Sequence, residues 1–78
     1  MSEVASRVLT VLAGLLNTSV STLCLDSSAQ NTRGWDSLVS MLFIVGIEEE
    51  FDISVDLADA ENFLSVEKVV SILQDKYL

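Results

Sequence analysis

The sequence predicts an all-α fold, a small bundle of three main helices plus one short helix, forming a single domain over residues 1–78. Three observations lead there. Half of the 78 residues are apolar, proline is absent and glycine occurs three times, a composition that favours packed helices over disorder or a turn-rich sandwich. Apolar residues recur at helical spacing in three separate stretches. A chain of this length makes one domain with a small core, and no internal repeat divides it.

The first helix follows from Val4, Val8, Val11, Leu12 and Leu15, which share a helical face after Ser2 as N-cap. From Asn17 to Trp35 the composition turns to Ser, Thr, Asn and Gly, a loop whose apolar anchors are Val20, Leu23 and Leu25. Unbroken connections beyond roughly 12–15 residues are uncommon in compact domains, so this one is expected to wrap across the bundle and pin itself by those anchors. The second main helix begins at Asp36, whose carboxylate caps it, and directs Leu38, Met41, Ile44, Ile47 and Phe51 to the core. Asp56, with Asp59 three residues on, opens a short helical turn through Ala60 to Phe63. Ser65 caps the last helix, in which Val66, Val69, Val70, Leu73 and Tyr77 repeat at i, i+3, i+4, i+7 and i+11.

Twelve acidic residues against four basic ones give a net charge of −8. Phosphate backbones need clustered Lys and Arg, so no nucleic acid is expected as partner. The same field draws the chain toward basic patches on other proteins. Cys24 stands alone, which excludes an intrachain disulfide or a Cys-based zinc cluster and fits a reducing, cytoplasmic setting. It is expected to be a small buried or half-buried hydrophobe with no further role. The segment Met1 to Arg7 lacks the charged and apolar regions of a signal peptide. The apolar stretch Met41 to Ile47 falls far short of the roughly 20 residues that cross a bilayer, so no membrane span is expected. A monomer is the expected state.

Ser37 lies in Gly34-Trp35-Asp36-Ser37-Leu38, directly before an apolar helix, in a chain with no histidine. Taken alone it reads as an ordinary first-turn serine. Trp-Asp-Ser-Leu faintly resembles the Gly-Asp-Ser-Leu esterases, but a hydrolase needs a base to activate the serine and a larger α/β scaffold, and the chain offers neither. No catalytic residue is assigned.

The run Gly34-Trp35-Asp36-Ser37-Leu38, then Ile47-Glu48-Glu49-Glu50-Phe51-Asp52-Ile53, then Asp56 and Ser65-Val66-Glu67, resembles the acyl carrier proteins and their peptidyl carrier relatives. The likeness covers nearly the whole chain after Trp35 and, more loosely, the first helix. It implies that Ser37 carries 4′-phosphopantetheine, installed from coenzyme A by a phosphopantetheinyl transferase. Cargo would ride on the arm's terminal thiol as an acyl or aminoacyl thioester. It implies also that Asp36 helps the transferase place Ser37 and its metal ion, while Leu38 packs beneath the arm's base. Partners would include a loading ligase or transferase and downstream synthase or transferase enzymes, in fatty acid synthesis, lipid or polysaccharide decoration, polyketide or peptide assembly. A phosphodiester at a helix's first turn meets free N–H groups and the positive end of the macrodipole, worth about 0.3–1 kcal/mol at an exposed site.

The acidic run Glu48, Glu49, Glu50 and Asp52, with Asp56, Asp59 and Glu61 beyond it, reads as a solvated face. It lacks the order of an EF-hand loop, so no metal site is assigned. The resemblance implies that the glutamates at the helix end dock basic partner surfaces. Where fatty-acid carriers show acidic residues after the serine, this helix has Val39 and Leu42, with Phe43 between core positions. Either that apolar face is an interaction surface or the long loop covers it. The docking set is therefore Trp35, Val39, Leu42, Glu48, Glu49 and Asp56, with Trp35 read first as an anchor closing the loop over the core. Two departures from the family affect geometry: Ala29 to Arg33 is polar where a Leu-containing acidic stretch is common, and Ser54-Val55 replaces a usual proline, loosening that connection. The competing reading is an unmodified helical adaptor that binds a protein partner through Val39, Leu42 and Phe43.

Overall fold

The structure, a computed structural model, describes residues 2–78. It is the expected bundle: α1 (Glu3–Leu16), α2 (Ser37–Phe51), the four-residue α3 (Leu57–Ala60) and α4 (Val66–Ile72), which runs on through a π-helical turn from Leu73 to Tyr77. Each main helix starts on a side-chain cap. Ser2 Oγ accepts from Ala5 N–H, Asp36 from Val39 N–H and Ser65 Oγ from Lys68 N–H, satisfying a donor that has no partner within its own helix. Both α1 and α2 stop at a left-handed residue, Asn17 (φ 53°) and Asp52 (φ 55°). Beyond each, an amide returns to a carbonyl five residues back, Thr18 N–H to Ala13 O and Ile53 N–H to Glu48 O, which closes the helix end and turns the chain away.

Helix α1 packs on both α2 and α4. The core joins Val8 and Leu12 of α1, Phe43 and Ile47 of α2, Phe63, and Val66, Val69 and Leu73 of the last segment, all fully buried. Gly46 marks the tightest approach, since a Cβ there would sit 2.8 Å from Val11 Cγ1. The face expected of α4 is the one the structure buries; on α1 Val8 and Leu12 are buried as expected, Val4, Val11 and Leu15 are half-buried, and Ala5, Leu9 and Ala13 complete the buried face.

Helix α2 keeps the expected Ile44, Ile47 and Phe51 against the core but departs from the expected register in its first half. Leu38 and Met41, assigned to the core stripe, are each 61 % exposed, whereas Phe43 is buried completely and Val39 is half-buried against the core. The reason is compositional. From Leu38 to Ile47 every residue except Ser40 and Gly46 is apolar, so two helical stripes fit the periodicity equally well. Packing against α1 selects Val39, Phe43 and Ile47, because only Gly46 on that side lets the backbones approach so closely.

The long connection is less irregular than its composition. It contains a 3₁₀ turn at Val20–Thr22 and a bridge between Ser28 and Ser65. Of its three expected anchors only Leu23 is buried; Val20 and Leu25 are exposed. Backbone bonds do the remaining pinning: Ala29 N–H donates to Leu64 O (2.8 Å), Val66 N–H to Ser27 O (3.0 Å) and Glu67 N–H to Leu25 O (3.2 Å). Cys24, expected buried or half-buried, is exposed. The short helix also differs in detail. It lies earlier than Ala60–Phe63, and Asp56 makes no side-chain cap; its N–H instead donates to the Tyr77 hydroxyl at 2.9 Å.

Candidate phosphopantetheine site

The start of α2 is built by a sharp entry from the loop. Gly34 takes φ +88°, a conformation in which a side chain would be strained. Trp35 N–H donates to Thr32 O (3.2 Å) and Asp36 N–H to Gly34 O (3.1 Å). Asp36 then caps the helix, with Oδ1 accepting from Val39 N–H at 3.0 Å and its carbonyl accepting from Ser40 N–H at 2.9 Å. Ser37 is therefore the first helical residue, exposed and relieved of the capping that Ser2 and Ser65 perform in their helices. Neither Ser37 N–H nor Leu38 N–H meets an acceptor among the described residues.

Ser37 opens on a cleft of about 480 Å³ lined by Ala29, Trp35, Asp36, Ser37, Ser40, Met41, Ile44 and Leu64. The Ala29–Leu64 backbone bond holds its far wall together. On the opposite side of Asp36 the chain dives inward: Trp35 is 4 % exposed, its ring edge-on to Phe43 with centroids 5.6 Å apart at 89°. Phe43 in turn meets Phe63 at 6.3 Å. An aromatic line thus runs from beneath the site into the core.

The remaining expected site residues divide. Leu38 and Leu42 are exposed, and with Met41 and Val45 they form an outward stripe at i, i+3, i+4 and i+7. Glu49, also exposed, continues that stripe one turn on. Trp35 is the anchor that was its first reading, and at 4 % exposure it drops out of the docking set. Val39 is half-buried against the core, so it contributes little to an outer face. Phe43, central to the adaptor reading, is unreachable at zero exposure. Glu48 is half-buried, with Oε2 accepting Val55 N–H at 2.8 Å, and so closes the turn after α2. Asp56 is exposed near that turn.

Sequence reasoning missed Met41 and Val45 as surface residues, and Ser40 and Leu64 as neighbours of Ser37. The interior requirement for Gly46 was the available signal for the correct register. It also missed Asp59, which was read as solvated. Asp59 is 5 % exposed and accepts from Lys76 Nζ at 2.9 Å and from the Tyr77 hydroxyl at 2.7 Å. The Lys76 hydrogen bond, then that of Tyr77, holds its carboxyl below the ordinary value of 3.8, and the same contact raises Lys76. No local pattern announces a partner 17 residues away.

An exposed serine and two open amides at the start of the longest helix can hold a phosphate ester there. The comparisons give that site its family. Residues 6–73 match the family model for the phosphopantetheine attachment site. The chain is 32 % identical over 74 residues to an acyl carrier protein of Cyanidium caldarium, covering 95 % of this chain and 86 % of that one. It is 30 % identical over 76 residues to an acyl carrier protein of Buchnera aphidicola subsp. Schizaphis graminum (strain Sg), covering 97 % and 96 %. The chain belongs to the acyl carrier protein family, and its cofactor is 4′-phosphopantetheine. No helix among the described residues is long and apolar enough to cross a membrane.

Proposed function

We propose that this protein carries acyl intermediates on a 4′-phosphopantetheine arm attached to Ser37, acting as a cosubstrate of other enzymes rather than as a catalyst. The observation that carries this reading is the start of α2: an exposed hydroxyl at the first helical position beside two unpartnered amides. When bound, the arm supplies a mobile terminal thiol that holds cargo as a thioester. The residues fit it chemically. Ser37 N–H and Leu38 N–H can donate to a phosphodiester on Ser37 Oγ, in the positive field of the helix end. Asp36 keeps those amides in place by holding Val39 N–H. The chain has no histidine and Asp36 Oδ1 is engaged by Val39 N–H, so the base that takes the Ser37 proton is assigned to the phosphopantetheinyl transferase. Relatives named acyl carrier protein favour acyl over aminoacyl cargo.

Docking would use the outward stripe of Leu38, Met41, Leu42 and Val45, ending at Glu49. Positive charge is scarce around it, since two of the four basic residues are held in internal ion pairs, Arg7 with Glu50 and Lys76 with Asp59. Partners would therefore offer an apolar groove with a basic rim, as a loading ligase or transferase and downstream synthases of a specialised pathway could. The exposed acidic residues also oppose self-association, in keeping with a monomer working in a reducing cytoplasm. Leu42, of the adaptor trio, enters this surface; Phe43 does not.

Intact mass under reducing conditions tests the assignment, comparing wild type and Ser37→Ala after incubation with coenzyme A and a broad-specificity transferase. One phosphopantetheine added to wild type and none to the variant is expected. Equal addition to both would move the attachment elsewhere, and no addition to either would favour the unmodified adaptor.

A further inference from the structure

Trp35 is the one tryptophan of the chain, and an indole N–H buried with its ring needs an acceptor. It finds Ser40 Oγ at 2.9 Å. This bond joins the last loop residue before the cap to the second turn of α2, spanning the Asp36–Ser37 step. The ring itself packs edge-on against Phe43. Apolar contact alone lets a ring slide or tilt, whereas a hydrogen bond weakens steeply with angle and so fixes one orientation. Between Thr32 and Asp36 the backbone is held by turn bonds of 3.1–3.2 Å around Gly34. Trp35 and Ser40 both line the cleft onto which Ser37 opens.

Resting on the carrier reading above, we infer that the Trp35–Ser40 hydrogen bond positions Ser37 for modification. It sets the angle at which the loop enters α2, and with it the direction in which Ser37 Oγ is presented to the transferase. Trp35 and Ser40 are positioning residues; neither touches the reacting atoms. A merely structural tie would change stability and leave turnover of the folded protein alone. A positioning tie changes turnover, because small misplacements of a reacting atom are costly in rate.

The test uses the full chain as wild type, Ser40→Ala, Ser40→Thr, Trp35→Phe and the Trp35→Phe/Ser40→Ala double variant, at a temperature where each is folded. Transferase kinetics are measured with coenzyme A, and exchange of the single indole N–H proton is followed by NMR. In Ser40→Ala the indole proton should exchange faster. Transferase kcat should fall by between about tenfold and a hundredfold, with KM for the carrier within about twofold. Ser40→Thr keeps the hydroxyl and should restore both readouts, and the double variant should be no slower than the slower single. Wild-type kcat in folded Ser40→Ala, no rescue by threonine, or multiplying losses in the double variant would each overturn the inference. Should Trp35→Phe not fold, the two Ser40 variants decide. Failure of the transferase to modify wild type would instead bring down the carrier reading.

Discussion

Helices α2 and α4 both begin with a side chain that caps the third helical amide, Asp36 on Val39 N–H and Ser65 on Lys68 N–H. They differ in the two amides before it. In α4 these are consumed, Val66 N–H by Ser27 O and Glu67 N–H by Leu25 O, and the serine hydroxyl is spent on the cap. In α2 an aspartate does the capping, so the serine moves one position into the helix with its hydroxyl exposed. The amides of Ser37 and Leu38 meet no acceptor among the described residues. Open amides at a helix N-terminus are an anion site, and filled ones are not. A phosphodiester is thus welcome at one helix start and excluded from the other, although both carry a serine within one residue of the cap.

The largest effect that could break this contrast is the site of modification. Ser37→Ala is expected to abolish phosphopantetheine addition, whereas Ser65→Ala should be modified at the wild-type rate while losing about 0.5–2 kcal/mol of stability with its cap. Intact mass and chemical denaturation read the two outcomes, and arm attachment that depended on Ser65 would end the argument. Next in size is the register of α2, on which the outward stripe depends. Phe43→Ala should cost about 3–5 kcal/mol as a buried aromatic, and the exposed Leu42→Ala should stay within about 0.5 kcal/mol. Denaturant midpoints would separate them, and equal losses would mean that the stripe is packed rather than open. Charge reversal sharpens the surface further. Glu49→Lys should weaken partner kinetics with little change in stability, while Glu48→Lys should lower the melting temperature by releasing Val55 N–H.

The fold was largely legible in the sequence, because α1 and α4 each carry one apolar stripe with a polar remainder and a capping serine. Asp36 was legible as a cap for a related reason, since caps act over three residues and leave a local pattern, whereas Ser37 stood out only through the likeness of its surrounding motif to the carriers. What could not be read depended on distant partners. The face of α2 was ambiguous because nearly every residue from Leu38 to Ile47 is apolar, so only packing on α1 decides it. Trp35 was read first as an anchor, but which groups would hold it, Phe43 for its ring and Ser40 for its N–H, could not be read. Val20 and Leu25 looked like anchors, yet the loop is tied down by its own backbone groups, and backbone bonds leave little trace in side-chain chemistry. Asp59 resembled its solvated neighbours until Lys76 and Tyr77 reached it from the far end of the chain.

Capping at the two helix starts should be equal in stability and unequal in function. Asp36→Ala removes one bond to the third helical amide, as Ser65→Ala does, and each is expected to cost roughly 1 kcal/mol. Only Asp36→Ala should also slow the transferase, because only there does the cap hold amides that remain open. Unchanged kinetics in Asp36→Ala would reduce Asp36 to a cap like any other.

The closed helix has a second fastening beyond its own end, and pH exposes it. Past α4, Lys76 and Tyr77 reach α3 through Asp59, whose folded-state carboxyl is held below its ordinary 3.8. A depressed carboxyl contributes stability that is fully present above its unfolded value and is lost as pH falls through the folded one. Lys76 is raised from 10.5 by the same contact, so its contribution persists below that value and is lost as pH rises past it. Between these limits the fastening should be insensitive to pH. Asp59→Asn is therefore expected to melt below wild type by a constant interval from about pH 5 to pH 9. The interval should shrink once the pH drops below 3.8, as wild type loses what the variant never had. Melting curves at pH 7 and pH 3 suffice to check it. An interval that stayed constant into acid would mean that Asp59 supports α3 by packing and not by charge, leaving the α2 contrast intact but removing the ionic fastening at the far end of α4.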